Sequence, residues 1–216
     1  MVLSTQISRL SDGLPLSASV DDESDLSKLA EPKKQLKMIM RKISPNSEPR
    51  ASIESGNYSI HYLISHDFVY FCITDHSYPR KLAFSYLEEL DQEFAHSYGN
   101  EAVKPGLRPF AFVQFDNFIQ KTKRVYQDAR ATTNLDRLNT ELQDVTKVMT
   151  KNIEDLLYRG ETLDKMDDLS TSLRSESKKY RRAARRINIE AMIKQYAPFA
   201  GIGLIFIFLI WWIFLR

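Results

Sequence analysis

One cysteine, Cys72, occurs in 216 residues, so no disulfide can form within the chain, which fits a reducing, cytosol-facing setting. Net charge is nearly missing as well. Thirty Lys and Arg against 28 Asp and Glu leave +2, and no global field points to nucleic acid. No repeat with a period of about 20–50 residues is present, nor any low-complexity tract. The phosphate-binding patterns GxxxxGKS/T and GxGxxG and the nucleophile pattern GxSxG are also missing. His61, His66, His76 and His96 are scattered, without metal-ligand spacing. Cys72 lies inside the apolar run FVYFCIT, where a small buried residue is expected rather than a nucleophile or a palmitoylation site. An enzyme is disfavoured on these grounds, and no cofactor or metal is expected. The opening MVLSTQISRL lacks a basic region followed by an apolar run, so no signal peptide is expected.

What the chain has in abundance is one long apolar run. Residues 197–215, APFAGIGLIFIFLIWWIFL, carry no charge. Nineteen residues at about 1.5 Å each give roughly 28 Å, enough for a thin bilayer core, and a helix apolar on every face belongs in a membrane. Only Arg216 follows, so a tail anchor inserted after translation is expected. Six of the nine residues from Lys178 to Arg186 are basic (Lys178, Lys179, Arg181, Arg182, Arg185 and Arg186). Such a cluster stays on the cytosolic side and places the N-terminal part there. It would meet anionic headgroups at about 1 kcal/mol per charge, or serve as a solvated flank. Trp211 and Trp212 suit the far interface.

Ahead of this tail the pattern is that of a small domain. Residues 2–8 and 14–20 read as strands around an Asp12-Gly13 turn. Leu36, Ile39, Met40 and Ile43 form a helical stripe between Pro32 and Pro45. Residues 51–55, 58–64 and 68–74 read as an antiparallel meander, with Tyr58, Ile60, Tyr62 and Ile64 on one face. A helix over 82–98 turns Ala83, Leu87, Leu90 and Phe94 inward and stops at Gly99. A last helix carries Phe115, Phe118, Ile119 and Tyr126. Two strands, a helix, three strands and two helices predict a compact α+β domain.

From Asn134 the character changes. Leu135, Leu138, Leu142, Val145, Met149, Asn152, Leu156, Arg159, Leu163, Met166, Ser170, Leu173, Ser177, Tyr180, Ala184 and Ile187 alternate by three and four. Unbroken phase over seven heptads predicts a coiled-coil helix about 80 Å long, without fixing the number of partners. Arg159 stands where the seam calls for leucine. A guanidinium in an apolar core needs acceptors, or its desolvation costs several kcal/mol. Alternatively the coil splays so that Arg159 reaches water, or a self-associating coil uses it to set register. Spacing leaves these readings open.

The run NIEDLLYRGETLDKM at 152–166 resembles the centre of an R-SNARE motif, with Arg159 at the ionic zero layer. SGNYSIHYL at 55–63, YPRKLAFSYL at 78–87, FDNFIQKTKRVY at 115–126 and QYAPF at 195–199 extend the likeness nearly end to end. The chain resembles the longin-type R-SNAREs of ER–Golgi transport, the Sec-twenty-two group of the synaptobrevin superfamily. The resemblance implies a longin domain over 1–126, a five-stranded antiparallel sheet with three helices. A linker over 127–133, an R-SNARE coiled coil over 134–190, a juxtamembrane stretch over 191–196 and a transmembrane anchor over 197–215 would follow. It further implies three Q-SNARE helices completing a parallel four-helix bundle, their glutamine carbonyls accepting from Arg159.

Vesicle-coat proteins, through the longin domain, and the SNARE disassembly machinery are the other implied partners, besides the bilayer. The implied location is ER and Golgi membranes and transport vesicles, single-pass, with the N-terminus cytosolic. Gly160 departs from neuronal-type R-SNAREs and costs about 1 kcal/mol of helix propensity, so order near it is expected only on assembly. Asn152, Ile153 and Glu154 match the family segment associated with fold-back onto the longin domain; Asn152 would otherwise be a polar core layer. Zippering from Leu135 toward Ile187 would pull two membranes together and drive fusion. The rival reading is a non-fusing tail-anchored tether or adaptor at membrane contacts, which would need the span and heptads but not the arginine.

Overall fold

Strands whose side chains alternate between two apolar faces need a layer on each side. The computed structural model, which describes residues 1–21, 27–127, 148–157, 180 and 182–183, has that arrangement. Its strands are β1 (Val2–Arg9), β2 (Pro15–Ala18), β3 (Arg50–Ser55), β4 (Tyr58–Ser65), β5 (Phe68–Asp75) and β6 (Met149–Asn152). Its helices are α1 (Ala30–Lys42), α2 (Arg80–Ala102), α3 (Asp116–Gln127), entered through a 3-10 turn at Val113–Phe115, and α4 (Ile153–Leu157). Strand order across the sheet is β2-β1-β5-β4-β3-β6. β5 is central and buried on both faces. Val69, Phe71 and Ile73 join the core under α1, with Leu36, Ile39 and Met40. Phe68, Tyr70 and Cys72 join the opposite core, with Ala83, Leu87, Leu90 and Phe94 of α2 and Ile119 and Tyr126 of α3. Phe94 is the hub of the second core, its ring 5.1 to 5.7 Å from those of Phe68, Tyr98, Phe112 and Phe115.

The expected element order holds through α3, with three differences. α2 runs through Gly99 to Ala102 instead of stopping. The reason is tertiary: Arg9, held by Asp12 at 2.6 Å, donates Nη1 to the carbonyls of Ala102 (3.2 Å) and Lys104 (2.7 Å), satisfying groups that a helix end leaves bare. The sheet has six strands and is mixed, not five and antiparallel. β1 to β5 pair antiparallel, but β6 joins β3 in parallel. The third difference is that residues 149–157, expected within one long coiled-coil helix, form β6 and the short α4. The bare edge of β3 offers main-chain partners that outweigh local helix preference here. The rest of that coil and the span at 197–215 lie outside the described residues, apart from Val148, Tyr180, Arg182 and Ala183. Among the described residues no helix is long and apolar enough to cross a membrane.

His61 is buried between the sheet and α2, edge-on to Phe84 at 5.6 Å. Ser52 Oγ lies 2.8 Å from Nδ1 and Thr74 Oγ1 lies 3.1 Å from Nε2. Because the Thr74 hydroxyl donates to the Ser59 carbonyl, it accepts from Nε2–H, which leaves Nδ1 to accept from Ser52. The imidazole is therefore neutral, and burial, with Arg80 adding, lowers its pKa from 6.5 to about 4. An unfolded chain takes up this proton near pH 6.5 whereas the folded one does not until about pH 4. Stability from the neutral ring is thus full above pH 6.5 and lost as pH falls toward 4, by about 3 kcal/mol. Urea unfolding followed by sheet circular dichroism at pH 7 and pH 4 should show a drop that His61→Gln flattens by that order. Parallel pH profiles for the two proteins would refute the burial argument.

Candidate functional site

β3 ends the antiparallel sheet, so the side of its main chain turned away from β4 lacks a partner within β1 to β5. An ion pair between Arg50 and Glu88 at 2.7 Å ties the start of β3 to α2; burial nevertheless raises the Glu88 carboxyl above its ordinary range. Residues 149–152 fill the bare side in parallel register, Ala51 opposite Met149, Ser52 opposite Thr150, Ile53 opposite Lys151 and Glu54 opposite Asn152. The side chains of this added strand contribute little. Met149 is 46% exposed, Thr150 and Asn152 are exposed too, and Lys151 is half-buried. Main-chain pairing provides adhesion of this kind, and flanking pockets provide its selectivity.

The flanks straddle the sheet. Val148 packs on the core shared with α2 and α3. Ile153, only 7% exposed, and Leu156 pack on the core beneath α1. Between them Asn152 turns strand into helix, its Oδ1 accepting from the Glu154 amide at 3.1 Å as an N-cap does. The exposed Glu154 sits at the positive end of that turn. Lys42, the last residue of α1, donates Nζ to the Leu156 carbonyl. An open groove of about 310 Å³ lies beside Leu156, walled by Ile39, Ile53 and Tyr62. Backbone entropy of about 1–2 kcal/mol per ordered residue opposes the docking. Three apolar side chains and one ladder make a small contact, not a second core.

The described residues include four of the sixteen seam positions. Met149 and Asn152 lie in β6 and Leu156 in α4, while Tyr180 is buried against the far side of the domain. Leu135, Leu138, Leu142, Val145, Arg159, Leu163, Met166, Ser170, Leu173, Ser177, Ala184 and Ile187 lie outside the described residues. So do Lys178, Lys179, Arg181, Arg185 and Arg186; Arg182 is exposed. Cys72 is fully buried and its thiol pushed far up by burial, which suits a packing role. Sequence reading missed β6. The signals were the β-branched Val145, Thr146, Val148 and Thr150, and Ile153, an apolar residue off the heptad seam.

Two family models match the chain, Longin (regulated-SNARE-like domain) over residues 16–119 and Synaptobrevin over 134–214. Among similar proteins, the "Protein transport protein SEC22" of Yarrowia lipolytica is 69% identical, covering 98% of this chain and 99% of that protein. That of Schizosaccharomyces pombe is 62% identical, covering 99% of each. The "Vesicle-trafficking protein SEC22b-B" of Danio rerio is 42% identical over 99% of this chain and all of its own length.

Lys151 places a tryptic site inside the added strand. Limited proteolysis is expected to leave it slow to cleave in the wild-type chain. Ile153→Asp should speed cleavage there about thirtyfold, the equivalent of about 2 kcal/mol of lost burial, with β4 and β5 still resistant. Equal rates in the two proteins would show that Ile153 does not hold the segment down.

Proposed function

The chain belongs to the SEC22 family of protein transport proteins, and we propose on that footing that it works as an R-SNARE whose fusion segment alternates between its own longin domain and a four-helix bundle. It is a SNARE transport protein, not an enzyme. Its working ground is vesicle traffic between the ER and the Golgi, where residues 197–215 hold it in one membrane with the N-terminal domain in the cytosol. Three glutamine-bearing helices complete the bundle, and their carbonyls accept from Arg159. Leu156 and Leu163, one layer to either side, screen that guanidinium from water, which strengthens its hydrogen bonds.

One observation supports the alternation. Met149, Asn152 and Leu156 are seam positions that a bundle needs on one helix face, yet residues 149–152 are extended along β3. The same backbone cannot be strand and helix at once, so docking and assembly exclude each other. Magnitudes decide the direction. A dozen apolar layers at about 1.5–3 kcal/mol each outweigh one buried isoleucine, a half-buried valine and leucine, and a four-residue ladder. The docked form therefore yields once partner helices have engaged several layers, and until then it keeps the segment from unwanted pairing. The surface shared by β3, β6 and α4 exists only in the docked form. A vesicle coat reading that surface would load unassembled protein, and the disassembly machinery would restore it after fusion.

The tether reading dispenses with Arg159, and this separates the two. In reconstituted liposomes with candidate partner helices, Arg159→Leu should leave docking intact but change assembly or its reversal by the disassembly machinery about tenfold or more, since a buried guanidinium is worth several kcal/mol. Unchanged fusion and recycling would favour the tether.

A further inference from the structure

Tyr180 makes a second contact that the fold-back at β3 does not require. It is the third from last position of the heptad seam, yet its side chain is only 4% exposed. It lies against β2, the sheet edge opposite β6. Its ring meets that of Phe110 at 4.9 Å. Its hydroxyl donates to the Ala18 carbonyl and accepts from the Ala18 amide, so one phenol satisfies both main-chain groups of the residue that ends β2. The other carbonyls along this edge are already engaged, Pro15 by the Phe110 amide at 2.7 Å and Leu16 by the Phe112 amide at 3.0 Å. Phe110 itself has φ of 57°, a left-handed conformation that costs a bulky residue about 1–2 kcal/mol. Strain of this kind persists where surroundings over-determine it, often at clamps. A cavity of about 450 Å³ runs from here toward Lys33 and Met40 of α1, with Phe110 and Tyr180 in its wall.

We propose that this β2 edge is a second docking site for the chain's own SNARE segment, an aromatic clasp in which Ala18 and Phe110 hold Tyr180. The inference rests on reading residues 134–187 as the bundle strand. It adds that both halves of that strand are withheld: β3 holds the part before the zero layer, and β2 holds the part near the membrane. Reach permits it. Six strands spaced by about 4.8 Å put the two edges roughly 24 Å apart, and the 22 residues between Leu157 and Tyr180 span roughly 33 Å even as a helix. The two latches are separate. A partner that peels β6 from β3 leaves Tyr180 seated, and zippering cannot pass Ser177 until the clasp opens. The membrane-proximal layers are thereby kept for last.

Hydrogen exchange of the full chain in detergent micelles tests this directly. Tyr180→Phe keeps the ring and removes the hydroxyl; it should raise exchange at Ala18 about tenfold. Phe110→Ala lies outside the bundle strand; it should raise exchange across 176–184 by a similar factor. Both should leave residues 50–54 and 149–152 as protected as in the wild type. No change at Ala18 with Tyr180→Phe, or at 176–184 with Phe110→Ala, would overturn the clasp. Should Phe110→Ala loosen β4 and β5 as well, Tyr180→Phe alone decides. Loss of protection at 149–152 in the wild type would instead count against the β3 docking, and the Arg159→Leu assay tests the bundle reading, so the two failures are distinct.

Discussion

Main-chain groups along the free side of β3 need partners, and residues 149–152 supply them. Within β1 to β5 the sheet is complete on its two faces, each with its own core and helices, but its β3 edge is bare. An exposed edge invites any extended chain. Here Met149–Asn152 is added in parallel, and the edge is closed without a foreign strand. Val148 on one face and Ile153 and Leu156 on the other keep the register from sliding, because a one-residue slip would carry each apolar group to the wrong side of the sheet.

The contact is small. Most of its strand side chains are exposed, its helix is five residues long, and an open groove lies beside Leu156. Main-chain pairing gives a ladder to a segment without making its sequence strand-like. Met149 and Asn152, both heptad positions, therefore pair with β3 although their sequence is not that of a strand. Asn152, which heptad spacing assigns to the seam, caps α4 here.

The opposite edge follows the same rule with different chemistry. β2 is short, and Phe110 and Phe112 take up carbonyls of Pro15 and Leu16. A phenol completes the edge at Ala18. Burial, with Asp116 adding, raises the Tyr180 hydroxyl far above its ordinary range, so it stays a donor throughout the physiological range. One edge contact rests on backbone and aliphatic groups and the other on an aromatic ring and its hydroxyl, so different residues hold them.

Much of this was readable from residue order. Period-two alternation marked β4, and the Leu36, Ile39, Met40 and Ile43 stripe marked α1, because side-chain burial repeats with the local backbone. The family followed from the run around Arg159 and four other motifs. Tertiary contacts decided the rest. Arg9 carried α2 past Gly99, β3 turned residues 149–152 into strand, and Phe110 with Ala18 gave Tyr180 a place. Helical periodicity records what a segment can bury on a helix, whereas a sheet edge recruits backbone, which every residue has and no pattern displays.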